Sequence, residues 1–200
     1  TVDNGITSAC EVSMLKEHGV TVVVTDHHLP PETGLPVADA LVNPRIASFK
    51  GGENLCGAGV AFFLASALRK ACPECSAKFG GAALVLAGLA TVVDIMPLTE
   101  WNRLLVKGSL RAFNTYAPSG LVELRSRAAR MAGDVRAWDY GFLLGPRVNA
   151  AGRMASARLA YDLLMESDVE TVRHLAMEVH NLNAKRKEIE GVARISIDDF

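Results

Sequence analysis

Four things are scarce in this sequence: cysteine, proline-rich stretches, long apolar runs and an excess of charge of either sign. The four cysteines are Cys10, Cys56, Cys72 and Cys75. Cys72 and Cys75 form a lone C-P-E-C, and the two further ligands at similar spacing that a structural zinc needs are absent. A redox pair would have a strand before it, and none is predicted there. Reduced thiols without a function are the expectation. The longest apolar run, residues 82–93, stops at Asp94 and falls short of the roughly 18 residues a membrane helix requires. With no signal peptide either, nothing is expected to enter or span a membrane, and a cytoplasmic protein is expected. There is no repeat and no low-complexity tract, and a charged fraction of 22% does not suit a disordered chain.

What is present is a chain of 200 residues, half of them hydrophobic, enough to bury a sizeable core. It begins at Thr1 and stops at Phe200 inside an unfinished helical pattern, so a piece of something longer is expected. The net charge of -1 hides an uneven distribution. Residues 1–100 carry 6 basic against 10 acidic side chains, and residues 101–161 carry 10 against 3. An acidic half joined to a basic half suits a cation site beside a surface that holds a polyanion, although solvated arginines on helix faces would give the same count.

Periodicity outlines the elements. Thr1-Val2 reads as the tail of a strand, Ile6–His18 as a helix stopped by Gly19, and Val20–Thr25 as a buried β-branched strand. Together they predict a parallel strand–helix–strand crossover. Ala40–Val42 is a short strand closed by Asn43-Pro44. Helices are expected over Ala58–Ala71, after the small-residue turn C-G-A-G, and over Ala82–Val93, which is apolar nearly all round and so buried. Further helices are expected over Thr99–Asn114, Ser119–Arg130 and Ser156–Met165, and from about Val169 to beyond Ile189. Residues 145–153 read as a turn between helices.

The chemistry-bearing residues fall at informative places. Asp26-His27-His28 follows the Val20–Thr25 strand directly, and sites in open parallel sheets form at the carboxyl ends of strands. Asp3 is expected on the same sheet edge, although Asp-Asn-Gly is also a common turn. Asp94 ends an apolar run, where a carboxylate is either hydrated at a helix end or a ligand. Asp3, His27 and Asp94 form an oxygen-and-nitrogen donor set without thiolate, which suits Mn²⁺ or Mg²⁺ better than structural zinc. In G-P-R-V-N-A-A-G-R, Arg147 and Arg153 could clamp a phosphate with Asn149 adding a hydrogen bond, or the segment could be a polar turn with two solvated arginines. His18, His174 and His180 receive no role, and Lys185-Arg186-Lys187 reads as a solvated face.

T-V-D-N-G, V-V-V-T-D-H-H, A-T-V-V-D-I-M-P-L and G-P-R-V-N-A-A-G-R-M occur in that order. They resemble the second, third and fourth motifs of the DHH superfamily of phosphoesterases, plus the arginine-bearing motif of its single-strand exonuclease branch. The likeness covers nearly the whole chain. It implies an α/β fold: a parallel-sheet core with helices on both faces, a helix-rich segment and a long connecting helix. Residues 1–165 would be the catalytic core, and residues 166–200 would lead to a further small domain of the DHHA1 type. A first, aspartate-rich D-x-D motif would precede Thr1.

The resemblance also implies roles. Asp3, His27 and Asp94 would ligate two Mn²⁺ or Mg²⁺ ions, at least one of the aspartates bridging them. His28 would face the substrate phosphate, Asp26 would orient the imidazoles, and Arg147, Asn149 and Arg153 would grip the strand. The implied activity is hydrolysis of single-stranded DNA from the 5′ end in repair and recombination, by a monomer. The alternatives are an oligonucleotide or small-phosphate phosphatase and a non-catalytic single-strand-binding relative. The intact triad and fourth motif argue against the family's inactive relative in the eukaryotic replicative helicase.

Overall fold

The computed structural model describes residues 3–46, 49–72, 80–128 and 133–198, with side chains as far as residue 192. The chain forms two compact units, residues 1–112 and 113–200.

In the first unit, the chain enters through Asn4, which bridges Thr25 in the antiparallel sense. The expected parallel crossover therefore does not extend to this pair, and Thr1-Val2 lies outside the described residues. Helix α1 is Ala9–Glu17, three residues shorter at its start than the sequence predicts. Ile6 is buried ahead of it rather than helical. Gly19, at φ 73°, ends α1 as expected, with Gly19 N–H donating to Lys16 and Val20 N–H to Leu15.

Strand β1, Val23–Thr25, and strand β2, Ala40–Val42, pair in parallel, with Val24 beside Leu41 and Thr25 beside Val42. The β-branched run is thus a strand only over its last three residues. Parallel pairing brings both strand ends, Asp26 and Asn43, to one edge, and Asp26 N–H extends the ladder to the Val42 carbonyl at 3.0 Å.

Helices α2 (Gly57–Ala71), α3 (Gly81–Val93) and α4 (Glu100–Tyr116) follow near the expected bounds. Leu55, Val60 and Leu105 form a core, against which Val42, Phe62, Phe63 and Leu84 pack. A Cβ on Gly88 would stand 2.2 Å from that of Ser109, so α3 and α4 cross at a distance only glycine permits. Cys72, at the end of α2, is disulfide-bonded, where the sequence reading expects a reduced thiol; Cys75 lies outside the described residues. No helix among the described residues is long and apolar enough to cross a membrane.

The second unit is helical: α5 (Ser119–Arg127), a π-helical segment (Asp139–Leu144), α6 (Gly145–Met154), α7 (Ala157–Met165) and α8 (Val169–Asp198). Its core includes Leu121, Leu124, Tyr140, Leu144, Leu163, Ala176 and Val179. One expectation is corrected here. Residues 145–154 are not a turn but helix α6, which continues directly from the π-helical segment. Pro146 stands just after the π-helical segment, in the first turn of α6, and Ala150 and Ala151 fill the core side.

Candidate metal centre

The site begins where β1 ends. Asp26 is buried, and its carboxylate accepts four hydrogen bonds: from the N–H of Ile6 (2.9 Å), His27 (2.7 Å) and His28 (3.1 Å), and from the His28 ring through Nδ1 (2.7 Å). Burial pushes this carboxyl up, but the hydrogen bonds from Ile6 and from the His28 ring and backbone outweigh it and hold the group at about 2. A carboxylate so saturated has little left for an ion; it organises the loop. It also fixes the His28 ring, and that hydrogen bond, with the nearby carboxylates, raises the His28 pKa against the opposing effect of burial. With Nδ1 engaged, Nε2 is the ring nitrogen that remains for a ligand, on an imidazole that is 59% exposed.

His27 turns inward. Its Nε2 lies 3.4 Å from Asp3 Oδ1 and 3.8 Å from Asp94 Oδ2, while its Nδ1 is buried without a hydrogen-bond partner. The three residues that the sequence singles out as a donor set, separated by up to 91 positions, are therefore brought together around one imidazole. Donor atoms of Asp3, His27 and His28 all lie within 4.8 Å of one another. Two carboxylates converging on one imidazole, with a buried ring nitrogen left over, are placed as a divalent cation would require and would repel one another without one. The donor set fits Mn²⁺ or Mg²⁺.

Local backbone geometry delivers these side chains. Asp3 has φ 52° and Ile95, directly after Asp94, has φ 55°. Both lie in the left-handed region, which aspartate tolerates and isoleucine ordinarily avoids. Ile95 occupies the place after α3 where glycine usually stands: Met96 N–H donates to the Thr91 carbonyl and Ile95 N–H to that of Val92. Gly57, at the start of α2, makes room for Asp3, since a Cβ there would stand 2.0 Å from Asp3 Oδ1.

Sequence reasoning missed three contributors. Asn43, buried after β2, donates through Nδ2 to the His28 carbonyl at 3.0 Å, and Arg45 donates through Nε to the His27 carbonyl at 2.8 Å. The loop after β2 thus grips the loop after β1. The signal was available, because Asn43-Pro44 ends the strand that shares an edge with β1. Gly57 read only as part of a small-residue turn.

The arginine motif lies in the other unit. On α6, Asn149 and Arg153 are four residues apart, share one face and are exposed. Arg147 points elsewhere. It is half-buried, donates through Nε to His180 Nδ1 at 3.3 Å and through a terminal nitrogen to the Leu143 carbonyl at 2.7 Å, and burial lowers its pKa. His180, which the sequence reading leaves without a role, is thus the neighbour of a candidate site residue.

The DHH family, N-terminal domain, matches residues 1–89. The single-stranded-DNA-specific exonuclease RecJ of Haemophilus influenzae is 40% identical over 199 residues, covering 95% of this chain and 34% of that protein. The RecJ of Thermus thermophilus is 38% identical over 192 residues, covering 95% of this chain and 27% of its own length. Among solved structures, RecJ from Thermus thermophilus in complex with Mn²⁺ matches with a TM-score of 0.84 and 35% identity, over 96% of this chain and 28% of that one. An exonuclease RecJ bound to manganese matches with a TM-score of 0.82 and 34% identity, over 96% and 48%. The chain spans between 23% and 34% of the length of the curated relatives named RecJ that it matches.

Proposed function

We propose, from the match of residues 1–89 to the DHH family, N-terminal domain, and the likeness of nearly the whole chain to RecJ, that this chain forms the metal-binding core of a single-stranded-DNA exonuclease that hydrolyses phosphodiester bonds from the 5′ end. The observation that carries the reading is the convergence of Asp3 and Asp94 on the buried ring of His27. Asp3, His27 and Asp94 would hold a pair of divalent ions, Mn²⁺ or Mg²⁺, and His28 is near enough to share in that shell or to face the substrate. Cations at this site would supply a Lewis acid for the phosphoryl oxygens and a water more acidic than bulk water.

The protein's own part is positioning. Asp26 locks the His28 ring, so that Nε2 meets a phosphoryl oxygen with no reorientation during the reaction. Asn43 and Arg45 hold the carbonyls of the two histidines and so fix the loop that carries both rings. The second unit would hold the strand: Arg153 and Asn149 from an open face of α6, and Arg147 from its anchored position. This arginine-bearing helix favours a nuclease over a phosphatase of small substrates. In the longer protein, residues 1–165 would be the catalytic core and residues 166–200 the connection to a further domain.

In the full-length protein, His27→Ala should abolish Mn²⁺-dependent release of nucleotides from single-stranded DNA and lower the affinity for Mn²⁺ measured by titration. Turnover at the wild-type rate would remove the catalytic assignment.

A further inference from the structure

Helices α6 and α8 pack against each other, and one polar contact at their interface is unusual: a guanidinium donating to an imidazole. Arg147 has five N–H donors, of which Nε meets His180 Nδ1 at 3.3 Å and one terminal N–H meets the Leu143 carbonyl at 2.7 Å. Among the described residues no carboxylate pairs with it. A half-buried cation with two donors anchored, three unspent and no counter-charge is arranged to receive an anion from a set direction.

The Nε contact needs a lone pair on Nδ1 of His180. The ring must therefore be neutral, with its proton on Nε2. We propose that His180 is a positioning residue for Arg147, holding the guanidinium in the direction that binds a phosphate of the DNA strand and releasing it when the imidazole is protonated. This rests on the reading of α6 as a phosphate-holding helix.

The surroundings of the ring agree with that role. The charges that act on His180 are Arg147 from α6, Arg127 from α5 and Lys187 from α8 itself, all cationic. Burial first, and then these charges, hold His180 below the ordinary imidazole value. Arg127 is partly offset by Glu123 at 2.9 Å on its own helix. The sign follows: a depressed pKa keeps the ring neutral and the anchor intact near neutral pH, and the anchor is lost as pH falls through that value. Strand binding should therefore weaken on the acid side of about pH 6.5, the unperturbed imidazole value.

The test is the affinity of the full-length protein for a labelled single-stranded oligonucleotide from pH 7.5 to 5.5, with Ca²⁺ in place of the catalytic metal. His180→Leu, which cannot accept, should bind about tenfold more weakly at neutral pH, the equivalent of one hydrogen bond to a charged group. His180→Asn keeps an acceptor near the place of Nδ1 and does not titrate. It should restore near-wild-type affinity and remove the part of the acid loss that wild type shows beyond it, so that His28, common to both proteins, cancels. Arg147→Ala should weaken binding and make a further His180→Leu change silent. Wild-type affinity in His180→Leu, with Arg147→Ala still weak, would overturn this proposal alone. Wild-type affinity in Arg147→Ala would overturn it together with the phosphate-holding role of Arg147. Unequal melting of the Leu and Asn variants would not imitate a difference in pH profile between wild type and Asn.

Discussion

The two units assemble charge by opposite means. The first collects carboxylates and imidazoles at the ends of short elements, around a buried Asp26 that three backbone amides hold in place. The second spreads arginines along helices. Some are neutralised by a carboxylate one turn away, such as Arg127 with Glu123 and Arg158 with Asp162, and others are not. A functional side chain must be held within about 0.5 Å of its productive place, which calls for support from the elements around it. A strand with a charge at every nucleotide needs cations along a path rather than at a point. If that contrast is right, changes in the first unit should stop cutting and changes in the second should loosen holding.

The largest effect should come from Asp94→Ala in the full-length protein, with Mn²⁺-dependent nucleotide release falling more than about 100-fold while oligonucleotide affinity in Ca²⁺ changes far less. Equal loss in both assays would blur the division between the units. Gly57→Ala sharpens it. Alanine is the better helix residue, so thermal stability should hold, yet the added Cβ would meet Asp3 Oδ1 at 2.0 Å and displace that carboxylate. Mn²⁺ affinity should fall about tenfold or more, the scale of disturbing a ligand's support. Unchanged Mn²⁺ binding would mean that Asp3 is not a ligand.

Much of this arrangement was legible in the sequence, for physical reasons. Gly57–Ala71 and Gly81–Val93 begin one residue before the helices predicted there, because small and apolar residues over a dozen positions leave few alternatives. β2 was found to the residue because Asn43-Pro44 ends it abruptly. The donor set stood out because charged residues directly after apolar runs need a reason to be there. Pattern reading failed where local signals conflict or where contacts join distant positions. Residues 145–154 contain two glycines, a proline and an asparagine, which read as a turn, yet they continue a helix whose preceding π-helical turn the sequence pattern does not show. The contact of Arg147 with His180 spans 33 positions and two helices, and no periodicity encodes it. The grip of Asn43 and Arg45 on the histidine carbonyls required knowing that β1 and β2 share a register.

Smaller effects probe the second unit and the backbone. Arg153→Ala should lower the slope of log affinity against log salt by about 0.7 for a single strand, the loss of one phosphate contact, with little effect on the rate at saturation. An unchanged slope would return α6 to a structural role. Ile95→Gly should raise stability by about 1 kcal/mol, because Ile95 is 89% exposed and sits at φ 55°, where its branched side chain is disfavoured and little packing is lost. A chemical-denaturation midpoint that falls instead would show that the isoleucine is held in place by contacts.

The central claim is that one imidazole and two carboxylates, drawn from three separate segments, make a divalent metal site. Manganese anomalous scattering from crystals of the full-length protein grown with Mn²⁺ tests it most directly. The account predicts an anomalous peak about 2.0–2.3 Å from donor atoms of at least two of Asp3, His27 and Asp94. A peak that touches none of the three, or only one of them, would contradict it.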